Sequence, residues 1–171
     1  LMARMVSLGW ICLSIDYRTA PRHRWPAPLE DVTAATFWAH DHAEEIGGDP
    51  NFIAIAGASA GGHLASLIGL TPGMVDAAVG IYGSYDWTSR STLWRKLFMQ
   101  YIESVIVGRS FASRPDVFFS ASPMDRVNPW AAPMMLVHGT RDVLISVKEA
   151  REFHRRLSAI SEAAVDYLEI P

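Results

Sequence analysis

The sequence predicts an α/β fold: a mostly parallel sheet flanked by helices. Three observations predict it. Short apolar runs of strand length alternate with longer amphipathic runs, as when strands are joined by crossover helices. The strand-like runs WICLSIDY (10–17), FIAIAG (52–57), DAAVGIY (76–82) and PMMLVH (133–138) are mostly apolar, and 10–17 reads as a strand buried on both faces, with 76–82 another buried strand. The second run passes through Gly57-Ala58-Ser59-Ala60-Gly61 directly into HLASLIGL (63–70), so a strand, a tight turn and a helix follow without a spacer.

Length and composition narrow the classes. The 171 residues suit one domain, and half of them are hydrophobic, which is globular and not disordered. A net charge of −3 gives no reason to expect a nucleic-acid partner. The single cysteine, Cys12, excludes an internal disulfide and reads as a small buried hydrophobe. No apolar run approaches the roughly 18 residues of a membrane span. No signal peptide is visible in these residues, which carries little weight; localisation is left unknown, with the cytoplasm as the default.

In chain order, residues 1–8 read as the tail of a helix stopped by Gly9. A buried strand follows at 10–17, then a loop at 18–28 holding three prolines and three arginines. Leu29, Val32, Ala35 and Ala39 set an apolar stripe for a helix from about Ala27 to Ile46, ended by Gly47-Gly48. The strand at 52–57, the turn and a helix at 61–70 come next, with Thr71-Pro72-Gly73 as the breaker. After the strand at 76–82, residues 83–132 change character. They contain no strong strand, are dense in aromatics, and carry one amphipathic helix marked by Leu93, Leu97, Tyr101 and Val105. This stretch is the candidate for a cap-like insertion within the 1–171 domain. The strand at 133–138, a loop at 139–145, a helix marked by Val147, Ala150, Phe153, Leu157 and Ile160, and a strand at 165–170 complete the chain.

Ser59, at the apex of the turn, is the candidate nucleophile. A serine hydroxyl near neutral pH needs a base within hydrogen-bond reach and an acid to orient that base. In open α/β sheets such groups gather at the carboxyl ends of strands. Asp142, in HGTRDVLI after the 133–138 strand, is the candidate acid; its plainer role is to cap a helix or close a turn. Asp86 is the runner-up. None of the six histidines suits the base. His63, four residues past Ser59 on the same helix, is aimed sideways and not at the hydroxyl. His138 reads as support for the loop. His23, His40, His42 and His154 read as solvated or loop residues, and His40 and His42 lack the spacing and third ligand of a zinc site. The N–H of Ala60 is one candidate oxyanion donor. The second would come from a glycine-rich loop, and none precedes Trp10.

The stretches IDYRTAPRHRWPAPLEDV (15–32), GGDPNFIAIAGASAGGHLA (47–65), DAAVGIYGSYDW (76–87), ASP (121–123) and HGTRDVLI (138–145) resemble the hormone-sensitive-lipase-type esterases of the α/β-hydrolase superfamily, and among these the actinobacterial esterases with an APRHRWPA-type loop. Thr19, Arg22, Arg24 and Val143 depart from the commoner residues of that pattern. The resemblance implies a carboxylic ester hydrolase acting on a small-molecule ester through Ser59, Asp142 and Ala60, with no cofactor and no metal. It also implies a partial domain: the HGGG oxyanion loop would precede Leu1 and the catalytic histidine would follow Pro171, so the 171 residues alone are expected to be inactive. A non-catalytic, receptor-like member of the same fold is the alternative. In this superfamily a further strand lies between those at 10–17 and 52–57, so the 10–17 strand is expected either to move in beside 52–57 or to be poorly held.

Overall fold

The computed structural model describes residues 2–171. Four strands, β1 (Ala54–Ala58), β2 (Ala77–Ile81), β3 (Met134–Gly139) and β4 (Val165–Ile170), form one all-parallel sheet in the order β1-β2-β3-β4. Six α-helices accompany them: α1 (Met2–Val6), α2 (Ala27–His42), α3 (Ala60–Gly69), α4 (Leu93–Tyr101), α5 (Pro115–Ala121) and α6 (Val147–Ile160). A wider π turn, Ile102–Val107, extends α4, and a 3-10 turn, Pro123–Asp125, follows α5. Helices fill each crossover, as parallel pairing requires. The register sets Ala58, Ile81, Val137 and Leu168 level with one another, so all four strands present their carboxyl ends at one edge.

The core lies on one side of this sheet. Leu136, Ala78, Tyr85, Phe153, Leu157 and Leu70 form one fully buried cluster beneath α6 and the end of α3. Val32, Leu64 and Ile68 form a second between α2, α3 and Ile55. The other face is open: Ala54, Ala56, Ala58, Met135, Leu168 and Ile170 are exposed. The strands of this sheet are therefore covered on one face. Both α3 and α6 pack on the same side, and among the described residues no helix covers the other.

Residues 83–132 build a third cluster of their own, with Trp87, Met99, Ile102, Val107, Phe118 and Ala121 buried together and Trp25 added from the 18–28 loop. Its fastening to α3 is aromatic and polar: His63 stacks on Trp87 at 4.5 Å and meets the Ala121 carbonyl oxygen at 2.7 Å.

Two expectations are corrected, and the face α4 turns inward is decided. Residues 10–17 are not a strand and are not buried on both faces: Trp10, Ile11 and Leu13 are exposed. Strand pairing needs a neighbour's N–H and C=O groups, and the segment does not reach β1's free edge. Instead Ile15 and Tyr17 pack against the Val32–Leu64–Ile68 cluster, and Arg18 forks onto Asp31 of α2 at 2.8 and 3.0 Å. Helix α2 stops at His42, four residues early; Gly47 (φ 82°) closes the turn beyond it. The stripe Leu93, Leu97 and Tyr101 faces solvent, and Phe98, Met99 and Ile102 face inward.

Candidate active site

Ser59 joins β1 to α3 with φ 54° and ψ −119°, a left-handed backbone that costs a non-glycine residue of order 1–3 kcal/mol. Its neighbours hold it there. Its N–H donates to the Ile81 carbonyl on β2 at 2.9 Å, and its own carbonyl accepts the His63 N–H at 3.0 Å. The turn closes because Gly57 and Gly62 lack side chains. A Cβ on Gly57 would lie 2.2 Å from the Gly61 carbonyl oxygen, and one on Gly62 would lie 2.7 Å from the Ile81 carbonyl oxygen and 3.2 Å from the Gly83 Cα. A Cβ on Gly61 would meet nothing. The second glycine of the pentapeptide is thus not the one that permits close packing; Gly62 is, and the doubled glycine was the signal for it. The tight turn leaves Ser59 and Ala60 exposed at the carboxyl edge. Ala60 is the first residue of α3, and N–H groups in a first helical turn have no acceptor within the helix.

Asp142 lies on the loop leaving β3, two strands across from Ser59, which at sheet spacing is about 10 Å between strand axes. Its Oδ1 accepts the N–H groups of Leu144 (2.8 Å) and Ile145 (2.9 Å). Asp142 therefore does close a turn, and that turn holds the carboxylate in place with Oδ2 left for another donor. Ser146 caps α6 instead, accepting from the Lys148 N–H. His138 Nε2 lies 2.9 Å from the Ile145 carbonyl oxygen and 3.4 Å from Asp142 Oδ2. A carbonyl can only accept, so Nε2 carries the proton. Nδ1 of this fully buried ring has no partner among the described residues. Asp86, the runner-up, spends Oδ1 on Thr88 N–H, Thr88 Oγ and Ser89 N–H at 2.9–3.0 Å.

The histidines are engaged elsewhere. Burial lowers His63 to about 4, against the opposing pull of its Ala121 contact. Rings of His40, His42 and His154 meet the carbonyl oxygens of Met74, Trp38 and Val165, and His23 is exposed in the 18–28 loop. Sequence reasoning missed Glu149 of α6, a buried carboxylate bonded to the loop after β2 and to Arg95. Among the described residues no group of three His, Cys, Asp or Glu side chains could hold a metal ion, and no helix is long and apolar enough to cross a membrane.

The family model described as BD-FAE matches residues 1–157. The chain belongs to the BD-FAE family. Its parallel sheet flanked by helices is the α/β-hydrolase fold that its motifs resemble. Esterase LipC of Mycobacterium tuberculosis (strain ATCC 25618 / H37Rv) is 48% identical over 99% of this chain and 46% of its own length. The probable carboxylic ester hydrolase LipM of the same organism is 38% identical over 100% of this chain and 43% of its own. This BD-FAE chain thus spans about half the length of the curated relatives it matches. Among solved structures, the thermophilic carboxylesterase EstE1 from a metagenomic library superposes with a TM-score of 0.77 at 27% identity, over 91% of this chain and 56% of that one. A truncated carbohydrate esterase from gut microbiota, at 23% identity, TM-score 0.76 and coverage of 92% and 64%, shows the fold alone.

Proposed function

We propose that the protein carrying this chain is a carboxylic ester hydrolase that works through an acyl-enzyme on Ser59. The observation that carries the reading is the left-handed turn at Ser59 (φ 54°), which sets an exposed hydroxyl beside the free N–H of Ala60 on the edge that also bears Asp142. Ser59 Oγ attacks the ester carbonyl carbon and its proton passes to an imidazole. The Ala60 N–H and the positive end of α3 stabilise the tetrahedral oxyanion. The imidazolium returns the proton to the departing alcohol, and water then attacks the acyl-enzyme by the same route. Asp142 Oδ2 orients the imidazole.

The imidazole is not one of the six in this chain. His63 and His138 are buried and committed to carbonyl oxygens, and the rest stand on α2, α6 or the 18–28 loop. A histidine from outside the 171 residues is the base, and the 171 residues alone have little or no Ser59-dependent activity. Residues 83–132 act as a cap-like insertion against the site. The test is hydrolysis of p-nitrophenyl acetate by a full-length protein containing this chain and by the chain alone. Full-length rates should fall at least about 10³-fold with Ser59→Ala and with Asp142→Asn. A full-length rate indifferent to Ser59→Ala overturns the mechanism. Tight ester binding without turnover favours the receptor-like alternative.

A further inference from the structure

Helix α4 carries two apolar stripes, and the larger one is outside. Leu93, Trp94, Leu97 and Tyr101 are 73%, 80%, 49% and 52% exposed, whereas Met99 and Ile102 are 1% and 5% exposed. Apolar transfer alone favours burying the stripe with the greater area. The inward face is Arg95, Met99 and Ile102, at i, i+4 and i+7. Turning it inward buries a guanidinium, which is tolerable only beside a well-bonded anion.

Glu149, on the first turn of α6, is that anion. Its Oε2 meets Arg95 Nη1 at 2.9 Å, with side chains 9% and 12% exposed. Its Oε1 accepts from Ser84 Oγ at 3.2 Å and from the N–H groups of Tyr85 and Asp86. The carboxylate therefore holds the loop after β2 whether or not Arg95 is present. That loop begins at Gly83, whose backbone backs the Ser59 turn through Gly62.

We propose that the buried Glu149–Arg95 pair is a latch that selects which face of α4 packs inward and thereby fixes the 83–132 insertion against the carboxyl edge. Neither residue touches substrate; both are positioning residues. The effect on catalysis rests on the ester-hydrolase reading above; the selection of the helix face does not.

The experiment measures amide exchange and ester kinetics in the full-length protein for Glu149→Gln, Arg95→Met, Arg95→Lys and the double variant Glu149→Gln/Arg95→Met. Glu149→Gln keeps an oxygen for Tyr85 and Asp86 but strands Arg95. Amides of Met99–Val107 should then exchange about tenfold faster or more, with β2 and β3 unchanged. Arg95→Lys should stay within about threefold of wild type, and the double variant should recover most of the protection, because removing both charges costs less than stranding one. KM for a p-nitrophenyl hexanoate should rise about fivefold or more in Glu149→Gln, with kcat on the acetate within about twofold, as expected when binding but not chemistry is disturbed. Unchanged exchange in α4, exchange that rises equally in β2 and β3, global unfolding, or a double variant worse than Glu149→Gln would each overturn the latch. If Ser59→Ala keeps the wild-type rate, the ester reading fails and the exchange data still decide the latch.

Discussion

The three glycines around Ser59 look alike in sequence and should behave oppositely when changed to alanine. In Gly57→Ala the new Cβ would sit 2.2 Å from the Gly61 carbonyl oxygen and 2.4 Å from its carbonyl carbon. In Gly62→Ala it would sit 2.7 Å from the Ile81 carbonyl oxygen. These obstacles are backbone atoms of the sheet and of α3, so relief requires the helix to move off the strand ends. Overpacking of this kind costs typically 1–3 kcal/mol and sometimes more. Gly57 belongs at or above the top of that range, because its overlap is deeper and its obstacle is the helix's first turn. Gly61→Ala meets nothing within 4 Å and replaces glycine in a helix, a gain of up to about 1 kcal/mol, less at the second helical position. For a domain of this size each kcal/mol moves Tm by about 2–4 °C. Thermal and urea unfolding should therefore show Gly57→Ala lowered by about 6 °C or more, Gly62→Ala lowered by several degrees, and Gly61→Ala unchanged or raised. If Gly61→Ala is as damaging as Gly62→Ala, the steric account of the turn is wrong.

Two further predictions follow from named groups. Ser59→Gly removes the cost of φ 54° at a non-glycine residue; it should raise stability by about 1 kcal/mol while abolishing hydrolysis, whereas Ser59→Ala should abolish hydrolysis without that gain. Equal Tm values for the two variants would sink the claim of stored strain. His63, lowered from 6.5 to about 4 by burial, favours folding while neutral, so its contribution is complete above pH 6.5 and is lost as pH falls toward 4. That loss is about 3 kcal/mol at most. Denaturant titrations at pH 7 and pH 4 should show His63→Gln losing less stability across the window than wild type, and identical losses would refute the assignment.

Much of the fold was legible because its signals are local. The alternation of apolar runs, the breaker at 71–73 and the spacing of Val147, Ala150, Phe153 and Leu157 depend on neighbours in sequence, and the sheet and α6 follow them. The same holds for Ser59 and Asp142: a turn signature and a position just past a strand were enough to set both on one edge. Where reading failed, the deciding partner was distant. Residues 10–17 have the composition of a strand but pair with no strand, β1's free edge included. The inward face of α4 was not legible because its anchor, Glu149, lies 54 positions beyond Arg95. Asp142 serving as both turn closer and candidate acid was also beyond the sequence, since each role alone explains the residue.

By itself, the sequence determined the order and type of most elements and the place of the candidate nucleophile and acid, because strand length, helical period and turn chemistry are written in contiguous residues. Only the tertiary structure decided which sheet face is covered, which glycine closes the Ser59 turn, which stripe of α4 points inward, and that His63 and His138 are already committed to carbonyl oxygens. Each of those outcomes is set by contacts between segments far apart in the chain, where burial, backbone clearance and the need to pair a buried charge outweigh local pattern.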